Sequence, residues 1–192
     1  MMSAAPQLQD NREQVYNGIK PKPSTNPNRN WLAYMIASWS VGQGVLPDYL
    51  GLEAEQFYAL NSYFFPECKL PKQALSGSKL DFSRMLEKAD LVNLLKHYAR
   101  PEAVEIDWMI AIIVAGCLGG DHLWQDLGLW SRSQLSAMLH YNFPELAAKN
   151  DKDMKWKKFL YKQLCEAEGL YLCRAPSCEV CVDYPKCFGP EE

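Results

Sequence analysis

Apolar residues recur at intervals of three and four through most of the chain, and nowhere alternate with polar ones over a useful length. That pattern predicts an all-α helical bundle. The most hydrophobic stretch, Trp108 to Gly120, is apolar on most faces. A helix of this kind draws its stability from tertiary packing, so it belongs at the centre with amphipathic partners around it. Its 13 residues are too few to cross a bilayer as a helix. Phe82, Met85, Leu86, Ala89, Leu91, Leu94 and Leu95 keep close to the helical period until Pro101, which predicts a bridging helix. Ser131 with Gln134 forms a capping box that starts a helix near Arg132. Pro144 ends that helix by pushing Phe143 away from helical torsion angles. Asp153 is the expected cap of a last helix reaching about Glu168, with Gly169 as its exit.

Sliding the sequence by 77 residues places Trp31 on Trp108, Ile36 on Ile113, Gly42 on Gly119, and Leu50-Gly51-Leu52 on Leu127-Gly128-Leu129. One inserted residue then aligns Phe65-Pro66-Glu67 with Phe143-Pro144-Glu145. These matches predict two copies of a helical hairpin, near residues 31–67 and 108–145. Chance similarity between two generic apolar helices is the competing reading. Residues 1–28 carry Pro6, Pro21, Pro23 and Pro27 among many polar residues without an apolar period, and are expected to form a mobile arm. Residues 29–170 then make the helical domain, and 171–192 an irregular cysteine-rich loop.

Composition narrows the function classes. The 192 residues, 48% apolar, suffice for one sizeable core. Twenty basic and 23 acidic residues leave a net charge of -3, so no global positive field favours nucleic acid. The start of the chain has no basic segment followed by an apolar run, which leads us to expect the reducing cytoplasm and no membrane anchor. An odd count of seven cysteines argues against a complete disulfide framework. There is no glycine-rich phosphate loop and no Ser-His-Asp order that would mark an enzyme.

Four of the seven cysteines, Cys173, Cys178, Cys181 and Cys187, crowd the tail as C-x4-C-x2-C-x5-C. Neighbouring thiolates repel one another, so holding them together calls for a cation, and such soft ligands suit zinc, Cu(I) or an iron-sulfur cluster. Structural zinc sites tend to use two C-x2-C knuckles, whereas this tail has one, which favours iron-sulfur and keeps zinc as the runner-up. Lys155, Lys158, Lys162 and Cys165 share one side of the last helix, opposite Trp156, Phe159, Leu160 and Leu164. The lysine stripe is either an attractor for an oxyanion such as molybdate or an acidic partner, or a solvated face. His122 is either a further metal ligand or a helix cap, and Cys165 either a metal contact or an unpaired thiol. Cys117 and Cys68 read as small hydrophobes, and His97 and His140 as structural.

The tail cysteines, the block Asp153-Met154-Lys155-Trp156-Lys157-Lys158-Phe159, and Asp121-His122-Leu123-Trp124 with Asp126-Leu127-Gly128-Leu129 together resemble the NifQ family. The resemblance covers roughly residues 30–192, and its four cysteines fall on Cys173, Cys178, Cys181 and Cys187. It implies a cytoplasmic, non-enzymatic protein of nitrogen fixation. Such a protein carries an iron-sulfur and molybdenum-containing cluster and supplies molybdenum for nitrogenase cofactor assembly. The implied partners are the cofactor-assembly scaffold and the nitrogenase iron protein. From the residues alone, a helical interaction module with a structural four-cysteine zinc site remains the alternative.

Overall fold

The computed structural model describes residues 5–19, 25–68, 81, 83, 85, 87–101, 103–167 and 184–188, and within them every regular element is helical. Helix α1 spans Ala5–Ile19, α2 Asn28–Ser40, α3 Ala54–Phe64, α4 Lys88–His97 and α5 Ile106–Cys117. After these come the short α6 (Leu123–Asp126), then α7 (Arg132–Asn142), the short α8 (Pro144–Ala148), α9 (Trp156–Ala167) and the short α10 (Tyr184–Phe188). The apolar stretch takes the central place its composition demands: Met109, Ile110, Ile112, Ile113, Val114, Ala115 and Cys117 of α5 are all buried. Helix α4 packs on α5 and on α9, while α2 packs on α1 and α7. Their apolar faces merge into one continuous core. Among the described residues no helix is long and apolar enough to cross a membrane.

A buried polar knot fastens the starts of α2 and α5 to the end of α7. Asn28 and Asn142, both fully buried, exchange side-chain hydrogen bonds at 2.8 and 2.7 Å. The Glu105 carboxylate accepts from Asn26 at 2.7 Å, Asn28 at 3.2 Å and Arg100 at 3.0 Å. The carboxylate thus meets three donors, one of them a guanidinium, which is the condition under which a buried charge is tolerated.

Helix α7 begins where the capping pattern places it, with Ser131 Oγ accepting from Gln134 N at 3.2 Å. The glutamine reaches one residue further back than the box requires, accepting from Trp130 N at 2.8 Å. Phe143 turns out of the helix, and Pro144 opens α8 at its first position, where a missing N–H is harmless.

Three boundaries differ from the sequence reading. Residues 5–19, expected to be a mobile arm, form α1, which docks on α2. The docking uses few anchors instead of a full apolar stripe. Tyr16 stacks on Tyr34 with ring centroids 4.5 Å apart, Arg12 lies over the Trp130 ring at 4.3 Å, and Ile19 is buried. The bridging helix α4 starts at Lys88, so Met85 reaches the core from the segment before it, while Phe82 and Leu86 lie outside the described residues. Helix α9 starts at Trp156, because Asp153 sits at φ 53 and gives its carboxylate to Arg132 instead of capping.

Candidate functional site

Helix α9 buries Trp156, Phe159, Leu160 and Leu164, the arc predicted from its period, and the Trp156 indole donates to Ser136 Oγ at 2.9 Å. The chain leading into it is tightly held. Asn150 accepts from Met154 N at 2.8 Å and donates to Met154 O at 2.9 Å, and Arg132 donates to the carbonyls of Asp153 and Met154 at 3.1 and 3.3 Å. Lys155 N then donates to Cys187 O at 2.8 Å. This bond fastens α10, and with it the last of the tail cysteines, to the start of α9.

Lys157 leaves the helix in a different direction from Lys158. It donates to the Gly119 carbonyl at 2.8 Å and pairs with Asp126. Asp126 is only 1% exposed and Lys157 18%, so each charge depends on the other for the solvation it has lost. Two glycines make room for the carboxylate's segment. A Cβ at Gly119 would overlap the Asp126 side chain, and one at Gly44 would come within 2.8 Å of the Asp126 carbonyl while its φ of 84 already lies in the left-handed region. That carbonyl accepts from Val45 N at 2.9 Å. Nearby Cys117 behaves as the small hydrophobe its helix suggested: burial pushes its thiol up to about 12, against a smaller opposing pull from Lys157.

Between the α5–α6 connection, α9 and α10 lies a cleft of about 420 Å³. Its lining brings Lys155, Lys157, Lys158 and Lys186 together with His122 and Asp121. His122 is the N-cap of α6 in a reciprocal capping box with Gln125, whose side chain accepts from His122 N at 3.2 Å.

The structure thus unites His122 with two of the three lysines read from the stripe, and adds Lys157, Lys186 and Gln125. Lys162 is elsewhere: it lines a second cavity of about 360 Å³ beyond Phe188 and pairs with Glu166 at 3.5 Å. Cys165 is half-buried on α9 and lines neither cavity. His97 closes α4, and His140 bonds its own helix at Ser136 O, 2.9 Å away. Of the four tail cysteines, Cys187 is half-buried, and Cys173, Cys178 and Cys181 lie outside the described residues. Among the described residues no group of three or more His, Cys, Asp or Glu side chains could hold a metal ion.

A family model described as NifQ matches residues 31–189. The chain belongs to the NifQ family. It is 44% identical over 174 residues to Protein NifQ of Azotobacter vinelandii, a match covering 85% of this chain and 89% of that protein. It is 36% identical to Protein NifQ of Rhodobacter capsulatus, covering 83% and 87% of the two chains. With Protein NifQ of Klebsiella pneumoniae the identity is 33%, covering 84% of this chain and 99% of that one. No solved structure matches the chain. The matched span takes in the whole lysine cleft and all four tail cysteines and leaves α1 outside.

Proposed function

We propose that this NifQ-family chain holds an iron-sulfur cluster on Cys173, Cys178, Cys181 and Cys187 and carries molybdenum with it toward assembly of the nitrogenase iron-molybdenum cofactor. Four thiolates are the donor set such a cluster takes, and sulfide bridges would hold the molybdenum that is the cargo. The observation that carries the reading is the bond from Lys155 N to Cys187 O at 2.8 Å. It anchors one end of the cysteine segment on the folded body, with Cys187 and Phe188 packed against the core. The other end leaves from α9, itself anchored by its buried arc. Fixing both ends of the intervening chain lowers the entropy lost when four ligands converge on one centre. The lysines around the anchor also offset the negative charge that a thiolate-bound cluster brings.

Residues 29–170 form the supporting body in this reading and 171–192 the cluster loop. The body consists of two related hairpins, α2 with α3 and α5 with α7. Support for that duplication comes from helices of 13 and 11 residues in the first and 12 and 11 in the second, and from positive φ at both Gly51 and Gly128. The carrier needs no turnover of its own. It works in the cytoplasm and meets two partners there, the scaffold on which the cofactor is assembled and the nitrogenase iron protein.

The test is elemental analysis of the chain and of its four single Cys→Ala variants, isolated without oxygen from a nitrogen-fixing host. Iron, acid-labile sulfide and molybdenum in the parent, with iron and molybdenum reduced in the variants, is the expected outcome. One equivalent of zinc with negligible sulfide would favour a structural zinc loop instead.

A further inference from the structure

Helix α3 turns a surface of its own kind outward. Between Arg29 and Lys69 the chain has no lysine, arginine or histidine, while Asp48, Glu53, Glu55 and Glu67 fall within that stretch. Charge of one sign thus gathers on the segment that holds α3, in a chain whose net charge is only -3. Among the described residues the large apolar side chains left exposed are Tyr58, Tyr63 and Val104, and the two tyrosines stand on α3. At about 100° per residue, Tyr58, Ser62, Glu55, Ala59 and Tyr63 follow one another across an arc of about 140° on its outer side. All five are exposed. The tyrosines therefore wall a shallow trough floored by small residues, with Glu55 at one end. Ser62 donates its hydroxyl back to the Tyr58 carbonyl at 2.9 Å.

Both walls are held from behind. Tyr63 meets Trp108 edge-on with ring centroids 5.9 Å apart, and Tyr58 meets Tyr49 at 6.1 Å. Tyr49 and Leu50 take φ of 59 and 60, a region that residues with side chains rarely adopt, and the full burial of Leu50 holds the turn there. Rings fixed in advance lose little freedom on binding, and exposed aromatics with few charges among them compose an interface core more than a solvated helix face. We propose that this face of α3 docks an arginine-bearing segment of a partner protein, with one guanidinium lying between Tyr58 and Tyr63 and reaching Glu55. Charge selects the occupant. A guanidinium is attracted by the ring faces and forks onto a carboxylate. A second copy of the chain docked through the same face brings the same acids, and nucleic acid or an anionic membrane brings still more negative charge, so each is repelled. The face also stands apart from the lysine cleft. Tyr63 touches Trp108 in the first turn of α5, whereas Lys157 meets Gly119 beyond its last, and the 12-residue helix puts about 18 Å between them. The proposal is therefore independent of the carrier reading.

The probe is a fluorescently labelled helical peptide with an arginine at every fourth position, titrated with the full chain and followed by anisotropy. Saturable one-to-one binding, weakened by raised ionic strength and several-fold weaker when lysine replaces the arginines, is the expected result. Glu55→Lys should weaken binding about tenfold or more, the loss of one charge-assisted hydrogen bond with an added repulsion. Tyr58→Ala and Tyr63→Ala should each cost about threefold, whereas Tyr58→Phe keeps the ring and most of the affinity. Glu145→Lys makes the same change of charge at an exposed position of α8 and should leave binding as it was. Thermal melting checks that each variant is folded, and Glu55 and Tyr58 are both exposed. Absence of saturable binding, equal affinity for the lysine peptide, or equal responses to Glu55→Lys and Glu145→Lys would each overturn the proposal. Sedimentation that shows a dimer of the chain dissolved by Tyr58→Ala would overturn it too, since the face would then be covered by a second copy. A chain that holds iron and molybdenum but ignores the peptide refutes this docking face and leaves the carrier reading standing. One that binds the peptide through Glu55 and Tyr58 but holds neither metal does the reverse.

Discussion

Replacing Lys157 by methionine leaves the Asp126 carboxylate, at 1% exposure, without the cation that meets it. Breaking a buried pair from one side costs about 3–5 kcal/mol, and a urea titration should show a loss of that order. The double replacement Asp126→Asn with Lys157→Met should recover much of it, because the stranded charge is gone. Cys117 supplies a pH signature. Its thiol is held at about 12 in the folded chain against an ordinary 9.0, so the native state keeps a proton that the unfolded chain releases. Stability is therefore fully present below about pH 9 and declines as pH rises toward about 12. Tyr161, also pushed up to about 12 by burial first and by Cys117 second, acts in the same sense. Cys117→Ala should flatten the alkaline limb of a stability-pH profile. The burial of Cys117 could be read from its apolar neighbours. The pairing of Lys157 with Asp126 could not, because 31 residues separate them and helical periodicity is silent about contacts between elements.

Helix caps and docking anchors set the expected behaviour of whole elements. Ser131→Ala removes the side-chain acceptor at the start of α7 and should cost about 1 kcal/mol in a denaturant titration. Deleting residues 1–19 removes the Tyr16–Tyr34 stack and the buried Ile19, and should lower stability by about 2–4 kcal/mol while leaving iron content unchanged. Helices α5, α7 and the apolar arc of α9 were legible because burial of a continuous face imposes a 3.6-residue period on the sequence. Helix α1 was not, since it is held by an aromatic stack, a cation over a ring and one terminal isoleucine, none of which writes a period. Asp153 misled for a related reason: its residue type suits a cap, but Arg132, 21 residues away, claims the carboxylate. The lysine stripe was half legible. Lys155 and Lys158 do meet in one cleft, whereas α10 separates them from Lys162 and contributes Lys186, a partner no helical wheel of α9 contains.

At the scale of the molecule, a helical body carries a lysine-lined cleft beside the point where Cys187 is tied to the start of α9. The body's class followed from patterning, and its family from blocks of residues that combine core positions with polar ones. The cleft emerged only when α6, α9 and α10 were brought together. Its central claim is that molybdenum travels on this chain in a sulfide-bridged iron setting. X-ray absorption at the molybdenum edge, on protein isolated without oxygen from a nitrogen-fixing host, addresses that claim most directly. Sulfur neighbours with iron just beyond them are the result this account predicts; molybdenum surrounded by oxygen alone, or no molybdenum at all, would contradict it.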